Sequence, residues 1–254
     1  DTITLKDGNK IMFDAPIGSE LPSDGFEEID SSDFLAGKLN PSAEIIIDQD
    51  SKRLQKLEPF EEWNKKDIQG LRVLLKAEGK CTTDHVSPAG PWLKYRGHLE
   101  NISQNMYSGA LNAYTRSTGE AINTDTKEKG DIYEVAKYYS SNAIDWIAVA
   151  DENYGEGSSR EHAAMEPRFM GCKIVLAKSF ARIAQTNLKK QGILPLIFEN
   201  KSDYDKIEVF DTISTLNINE FSPQNNINLN LQKPDGSTYI LSLIHISEPT
   251  RLLA

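Results

Sequence analysis

Three short apolar runs constrain this chain more than any other feature: Trp146-Ile147-Ala148-Val149-Ala150, Lys173-Ile174-Val175-Leu176-Ala177 and Ile193-Leu194-Pro195-Leu196-Ile197-Phe198. Their near-continuous apolar character is that of strands buried on both faces. Between them lie Ser158 to Met170 and Phe180 to Lys190, which read as helices closed by Gly171 and Gly192. Strand, helix, strand, helix, strand with short links predicts parallel βαβ units.

The flanking sequence extends this pattern. Leu71 to Lys76 predicts one more strand, and Ile132, Val135, Ala136 and Tyr139 have helical spacing over 132–140. Beyond residue 206 the texture becomes short β segments at Ile207–Phe210, Ile227–Leu231 and Tyr239–Leu243. Lys233-Pro234-Asp235-Gly236 predicts the turn between the last two. The expected architecture is α/β, a parallel central sheet with an added antiparallel β layer.

Charge divides the chain. Residues 1–70 carry 16 acidic and 8 basic side chains, whereas residues 71–254 carry 22 and 20. The first segment is rich in Asp, Gly, Pro and Ser, as in Pro22-Ser23-Asp24-Gly25 and Asp30-Ser31-Ser32-Asp33, with short apolar clusters at Ile45-Ile46-Ile47 and Leu54/Leu57. It reads as an extended acidic linker over 1–70 that drapes over something. The folded domain is expected over 71–241.

Composition excludes several functions. Two cysteines, Cys81 and Cys172, leave no disulfide framework and no cysteine-only metal or iron–sulfur site within this chain. A net charge of −10 opposes general nucleic-acid binding. No apolar run reaches the ~18 residues of a membrane span. The chain opens on Asp1 and not Met, which suggests a processed or excised fragment.

Two segments concentrate reactive groups. Asp151-Glu152-Asn153-Tyr154-Gly155-Glu156-Gly157-Ser158-Ser159-Arg160-Glu161-His162 lies between a predicted strand and helix, where α/β proteins place ligands. Ser158-x-x-Glu161 fits a capping box, with Ser158 as N-cap and Glu161 at N3. The same hydroxyls, with the Arg160 guanidinium, also suit a carboxylate. A hydrolase elbow fails because position 160 is Arg160 and not glycine, and the Walker A pattern is absent. The second segment, Gly79 through Gly97, is a long polar loop. Within it Asp84 and His85 are adjacent, so their side chains are expected to diverge. Cys172 reads as a small core residue, and His162 as a packing or capping histidine.

Lys80-Cys81-Thr82-Thr83-Asp84-His85-Val86-Ser87 with Gly90-Pro91-Trp92-Leu93-Lys94-Tyr95-Arg96-Gly97-His98-Leu99 resembles aconitases of the mitochondrial type. So do the segment from Asp151 to Ala164, Ala177–Ile183 and Thr186–Gly192. Leu54-Gln55-Lys56-Leu57-Glu58-Pro59-Phe60 resembles that family's interdomain linker. The resemblance covers residues 1 to about 240. It implies a linker plus the C-terminal swivelling domain, a β/β/α three-layer fold that closes over a [4Fe-4S] cluster held by three cysteines of preceding domains. The family interconverts citrate and isocitrate through cis-aconitate. By motif, Ser158 matches the serine that removes the carbon-bound proton. Ser159 and Arg160 match substrate-binding positions, and Arg96 matches an arginine that grips a substrate carboxylate. Asp84 and Ser87 match active-site positions of the first loop, and Thr83, beside them, is grouped with the site. The implied partners are the tricarboxylate substrates and the cluster-binding domains of the same polypeptide, and the implied compartment is the mitochondrial matrix, or the cytoplasm in a bacterium.

The family normally continues through a last strand into a C-terminal helix. Here the ending resembles a translated sequencing-adaptor read, so residues 242–254 are expected to be a non-native tail. The small subunits of isopropylmalate- and homoaconitate-type dehydratases share the Gly-Ser-Ser-Arg-Glu-His core and offer a rival reading. A free-standing, non-catalytic binding module is another.

Overall fold

A computed structural model describes residues 2–12, 40, 42–59, 64–220, 222 and 225–245. The Pro22–Gly25 and Asp30–Asp33 stretches lie outside the described residues. The chain divides into two compact units, Asp1–Ile45 and Ile46–Ala254. In the first, β1 (Thr2–Thr4) and β2 (Lys10–Met12) form an antiparallel hairpin whose strand residues are all exposed.

The second unit is built on seven strands that close into a barrel. Four run parallel: β3 (Leu71–Lys76), β8 (Trp146–Ala150), β9 (Cys172–Ala177) and β10 (Leu194–Phe198). Three antiparallel strands, β11 (Thr212–Leu216), β12 (Ile227–Gln232) and β13 (Thr238–Ile244), complete the ring. Closure comes from β11 against β3, with Ile213 opposite Leu71, and from β10 against β13, with Phe198 opposite Leu243. The fold is therefore mixed α/β. The antiparallel strands are continuous with the parallel ones across both seams. Strand edges left open would template unwanted pairing, and closure removes them.

Side-chain alternation then sorts two cores. Leu71, Val73, Ile147, Val149, Ile174 and Leu176 point into the barrel, where they meet Ile213, Leu229, Leu231, Leu241 and Leu243. A register shift between Val73 and Leu75 leaves both Leu74 and Leu75 in the other core. There they join Ala148, Ala150, Val175 and Ala177 under α3 (Ile132–Ser141), α4 (His162–Phe169) and α5 (Arg182–Lys190). The parallel strands are buried on both faces, which is why they read as continuous apolar runs.

Three expectations need correction. The strand expected at Ile207–Phe210 is not formed. A four-residue helix, α6 (Asp203–Lys206), precedes a turn, and the strand lies at Thr212–Leu216. Lys206 pairs with Asp203 at 2.7 Å across that helical turn. The Gly79–Gly97 loop contains α1 (Thr83–Val86), where Thr82 and His85 form a capping box, and a 3-10 helix at Gly90–Tyr95. Finally, α4 begins four residues later than the expected Ser158.

The smaller elements sit between β3 and α3. They are α2 (Leu99–Ser103) and the hairpins β4 (Leu111–Asn112) with β5 (Ser117–Thr118), and β6 (Glu120–Ile122) with β7 (Lys129–Asp131). Asp67 is stitched to the barrel before β3 begins. It accepts from the Thr215 hydroxyl at 2.8 Å and from the N–H groups of Asn217 and Ile218 at 3.0 and 2.9 Å. Desolvation opposes its charge, but these three donors hold its carboxyl below the usual carboxylate range. At the other end, Ser242 continues β13 opposite Asn228, and His245 Nε2 lies 2.8 Å from the Ser222 carbonyl.

Candidate functional site

The segment after β8 is shaped by left-handed backbone. Asn153, Gly155 and Gly157 have φ of +56°, +76° and +115°. The bend carries the chain through Ser158 without a helical turn. The helix begins at His162, with Glu161 as an N-cap that makes no side-chain capping bond. The expected capping box of Ser158 and Glu161 is thus absent. Ser158 and Ser159 are both exposed, and neither is spent on closing a helix.

Two backbone bonds join this segment to the first loop. Gly155 N–H donates to the Cys81 carbonyl at 2.7 Å, and Thr83 N–H donates to the Glu156 carbonyl at 2.9 Å. Gly155 has no room for a side chain, since a Cβ there would lie 2.3 Å from the Ala184 Cβ on α5. The result is a cavity of about 210 Å³ walled by both segments and by the first turns of α5. Thr83, Gly157, Ser158, Ser159, Arg160 and Arg182 all line it. The Thr83 hydroxyl is buried without a hydrogen-bond partner among the described residues.

Arg160 ties the two segments together by side chain. One guanidinium nitrogen donates to Asp84 at 2.6 Å and to the Ser87 carbonyl at 3.0 Å. The Arg160 side chain is 17% exposed, whereas that of Asp84 is 62% exposed. Asp84 therefore faces Arg160, while His85 Nδ1 lies 2.9 Å from the Lys80 carbonyl oxygen. The two neighbours diverge as expected. Behind them, Ser87 and Glu166 meet through a 2.8 Å hydrogen bond between hydroxyl and carboxyl. Burial pushes the Glu166 carboxyl up to about 9, against the lowering effects of the Ser87 bond and the Arg160 charge. Glu166 thus holds its proton at neutral pH.

Arg96 stands apart from this cluster. Its side chain is exposed, and its Nε donates to the Leu93 carbonyl at 3.2 Å. Its backbone, however, is anchored: the Arg96 carbonyl lies 2.9 Å from His162 Nε2 at the start of α4. The preceding arm also reaches this loop. Gln55 N–H donates to the Gly97 carbonyl at 2.9 Å, and the Asn101 side chain donates to the Lys52 carbonyl at 3.0 Å. A Cβ at Gly97 would lie 2.7 Å from the Arg53 carbonyl oxygen, so glycine permits that approach. Neither the role of His162 nor that of Glu166 is visible in residue spacing around the motifs. The one available signal for Glu166 is an acid on the apolar stripe of Ala163, Pro167 and Met170.

The residues present do not fit an iron–sulfur cluster. Cys81 and Cys172 are 1% and 0% exposed, and burial pushes both thiols up to about 12. Among the described residues, no group of three or more His, Cys, Asp or Glu is placed to hold a metal ion. Among them, too, no helix is long and apolar enough to cross a membrane.

Fold and site together define a mixed α/β domain whose serine- and arginine-bearing loops converge at the ends of parallel strands. A family model described as the aconitase C-terminal domain matches residues 71–201, and the chain belongs to that family. It is 49% identical over 96% of its length to a probable mitochondrial aconitate hydratase of Dictyostelium discoideum. It is 48% identical over 93% of its length to the mitochondrial aconitate hydratase of Schizosaccharomyces pombe. It is also 47% identical over 96% of its length to the mitochondrial homocitrate dehydratase of Saccharomyces cerevisiae. The chain spans 32%, 30% and 32% of those three proteins, about a third of each.

Proposed function

We propose that this chain is the linker and C-terminal swivelling domain of a mitochondrial-type aconitate hydratase, which interconverts citrate and isocitrate through cis-aconitate. The observation that carries the reading is the convergence of Ser158, Ser159, Arg160 and Thr83 on one cavity, with Asp84 and Ser87 held behind it by Arg160. On this reading the barrel and its helical cover form the β/β/α swivel, and residues 46–59 are the part of the linker lying on it. The [4Fe-4S] cluster that the resemblance implies would be held by the remainder of the polypeptide. The same reading places the protein in the mitochondrial matrix.

The roles follow from the chemistry of each group. Ser158 takes the proton bound to carbon, and the exposed Ser159 hydroxyl binds substrate. Arg160 and Arg96 each grip a carboxylate through the guanidinium fork. Asp84 occupies Arg160 until a substrate carboxylate competes for it. Lysine cannot reproduce the fork, so Arg160→Lys and Arg96→Lys in the full-length protein are expected to raise the citrate KM by at least about tenfold. Unaltered KM in both would remove the clamps.

The homocitrate dehydratase relative favours a second reading at the level of substrate, because it is as similar to this chain as the hydratases are. Steady-state dehydration of citrate, homocitrate and isopropylmalate by the full-length protein, followed by absorbance of the unsaturated product, separates the readings. Citrate is expected to give the highest kcat/KM, and this chain by itself is expected to be inert. Preference for homocitrate or isopropylmalate reassigns the substrate, and turnover by the isolated chain overturns the shared-site account.

A further inference from the structure

Glu166 is a fully buried acidic side chain to which the proposed chemistry gives no role. It sits on α4 with no exposure to solvent. One oxygen, Oε1, bonds the Ser87 hydroxyl, and the other, Oε2, has no hydrogen-bond partner among the described residues. A buried carboxyl with half its capacity unmet costs stability, and an apolar side chain of similar size would not incur that cost. Such a group in a core calls for a purpose other than stability.

The geometry supplies one. Ser87 is 2% exposed and ends α1, the short helix that also carries Asp84. Its carbonyl accepts from the Arg160 nitrogen that also reaches Asp84. Glu166, Ser87, Arg160 and Asp84 therefore form one chain of bonds from the interior of α4 to the cavity. Backbone bonds already hold α1 before its last residue: Thr83 N–H donates to the Glu156 carbonyl at 2.9 Å, and Tyr107 N–H donates to the Val86 carbonyl at 2.8 Å. The Glu166 bond adds a side-chain hold at Ser87 itself, the residue whose carbonyl meets the guanidinium.

We propose that Glu166 is a positioning residue: its buried carboxyl fixes Ser87 and, through the Ser87 carbonyl, fixes the Arg160 guanidinium for a substrate carboxylate. The inference rests on the function proposed above. Because Glu166 is neutral, it meets Ser87 as an acid with one donor and one acceptor oxygen, so glutamine can replace it in kind. Its effect falls on binding, since Arg160 grips a carboxylate that is present before and after the proton moves.

The test uses the full-length protein with citrate. Glu166→Gln keeps a bonding group and is expected to leave KM within about twofold. Glu166→Met keeps the length but loses the bond, and KM is expected to rise about tenfold while kcat changes less than about threefold. The thermal midpoint of the Met variant is expected not to fall, because an under-bonded buried acid has been replaced by an apolar chain. Ser87→Ala removes the same bond from the other end, and combining it with Glu166→Met should add nothing further. An unchanged KM in Glu166→Met, or losses that add fully in the double variant, overturn the proposal. So does a KM increase equal in the Gln and Met variants and matched by lower midpoints, which would mark a merely structural role. If the Met variant does not fold, Ser87→Ala decides, and an unchanged KM there overturns the proposal. A wild-type protein that dehydrates neither citrate nor homocitrate takes down both this inference and the function beneath it. A wild type that turns over, loses turnover on Ser158→Ala and keeps KM in Glu166→Met takes down this inference alone.

Discussion

Ser158→Ala in the full-length protein is expected to lower kcat on citrate by ~10²–10⁴, the usual span for loss of a general base, with KM changed by less than about threefold. The expectation starts from the backbone. Left-handed residues through Gly157 delay α4 to His162, so the Ser158 hydroxyl is not consumed as a cap. It is exposed on the wall of a cavity shared with Thr83, Arg160 and Arg182. A serine hydroxyl is a weak acid and serves as a base only where positive groups stabilise the alkoxide. Arg182 on the same wall and the amide-rich approach to α4 provide such a field. Removing the hydroxyl leaves the carboxylate grips in place, which is why the loss should appear in kcat and not in KM. Ser159→Ala is the internal comparison: it removes a binding hydroxyl and should raise KM several-fold, in line with one lost hydrogen bond. Stopped-flow or steady-state assays that find Ser158→Ala at wild-type turnover would strike out the base assignment.

What the sequence reveals about this molecule follows from how local each interaction is. β8 is legible to the residue, Trp146 to Ala150, because it is buried on both faces and bounded by polar turns. β9 and β10 differ from the expected bounds by one residue at the first end. β11 is not legible. Of Thr212-Ile213-Ser214-Thr215-Leu216 only Ile213 is a buried apolar residue, and the strand is defined by pairing, along its length with β12 and at its first two residues with β3, about 140 positions earlier. Barrel closure depends on that pairing, so it was hidden as well. At the site, the motif residues could be named from their order alone, but their contacts could not. Arg160 and Asp84 are 76 positions apart on different loops, a separation that leaves no periodicity to read. The Ser158-x-x-Glu161 pattern misled for the opposite reason. It is a local preference worth about 1 kcal/mol, and the left-handed turn imposed by Gly155 and Gly157 overrode it.

The same turn makes Gly155→Ala the second variant with a large expected effect. Two independent costs fall on one methyl group. The φ of +76° is a left-handed conformation that costs an L-residue roughly 1–2 kcal/mol. The added Cβ would sit 2.3 Å from the Ala184 Cβ, against an ordinary carbon contact of about 3.5–4.0 Å. Neither atom is the end of a flexible side chain, so backbone must separate by roughly 1 Å, an overpacking cost of about 1–3 kcal/mol. Gly192→Ala isolates the first cost: its φ is +73°, but the nearest atom to its Cβ is Arg168 Nε at 3.9 Å. Hydrogen exchange in the full-length protein should therefore quicken at residues 153–157 and 181–188 far more for Gly155→Ala than for Gly192→Ala at its own turn. Activity should separate the two variants further. Ala181, Arg182, Ile183 and Ala184 wall the cavity that holds Ser158 and Arg160. A displacement of ~1 Å there is enough to cost on the order of 10²-fold in kcat/KM. Gly192→Ala, at the far end of α5, should keep kcat/KM within about twofold, as expected for a change away from the reacting groups. If Gly155→Ala proves as active as Gly192→Ala, the close approach of the Ser158 turn to α5 is not what sets the geometry of the site.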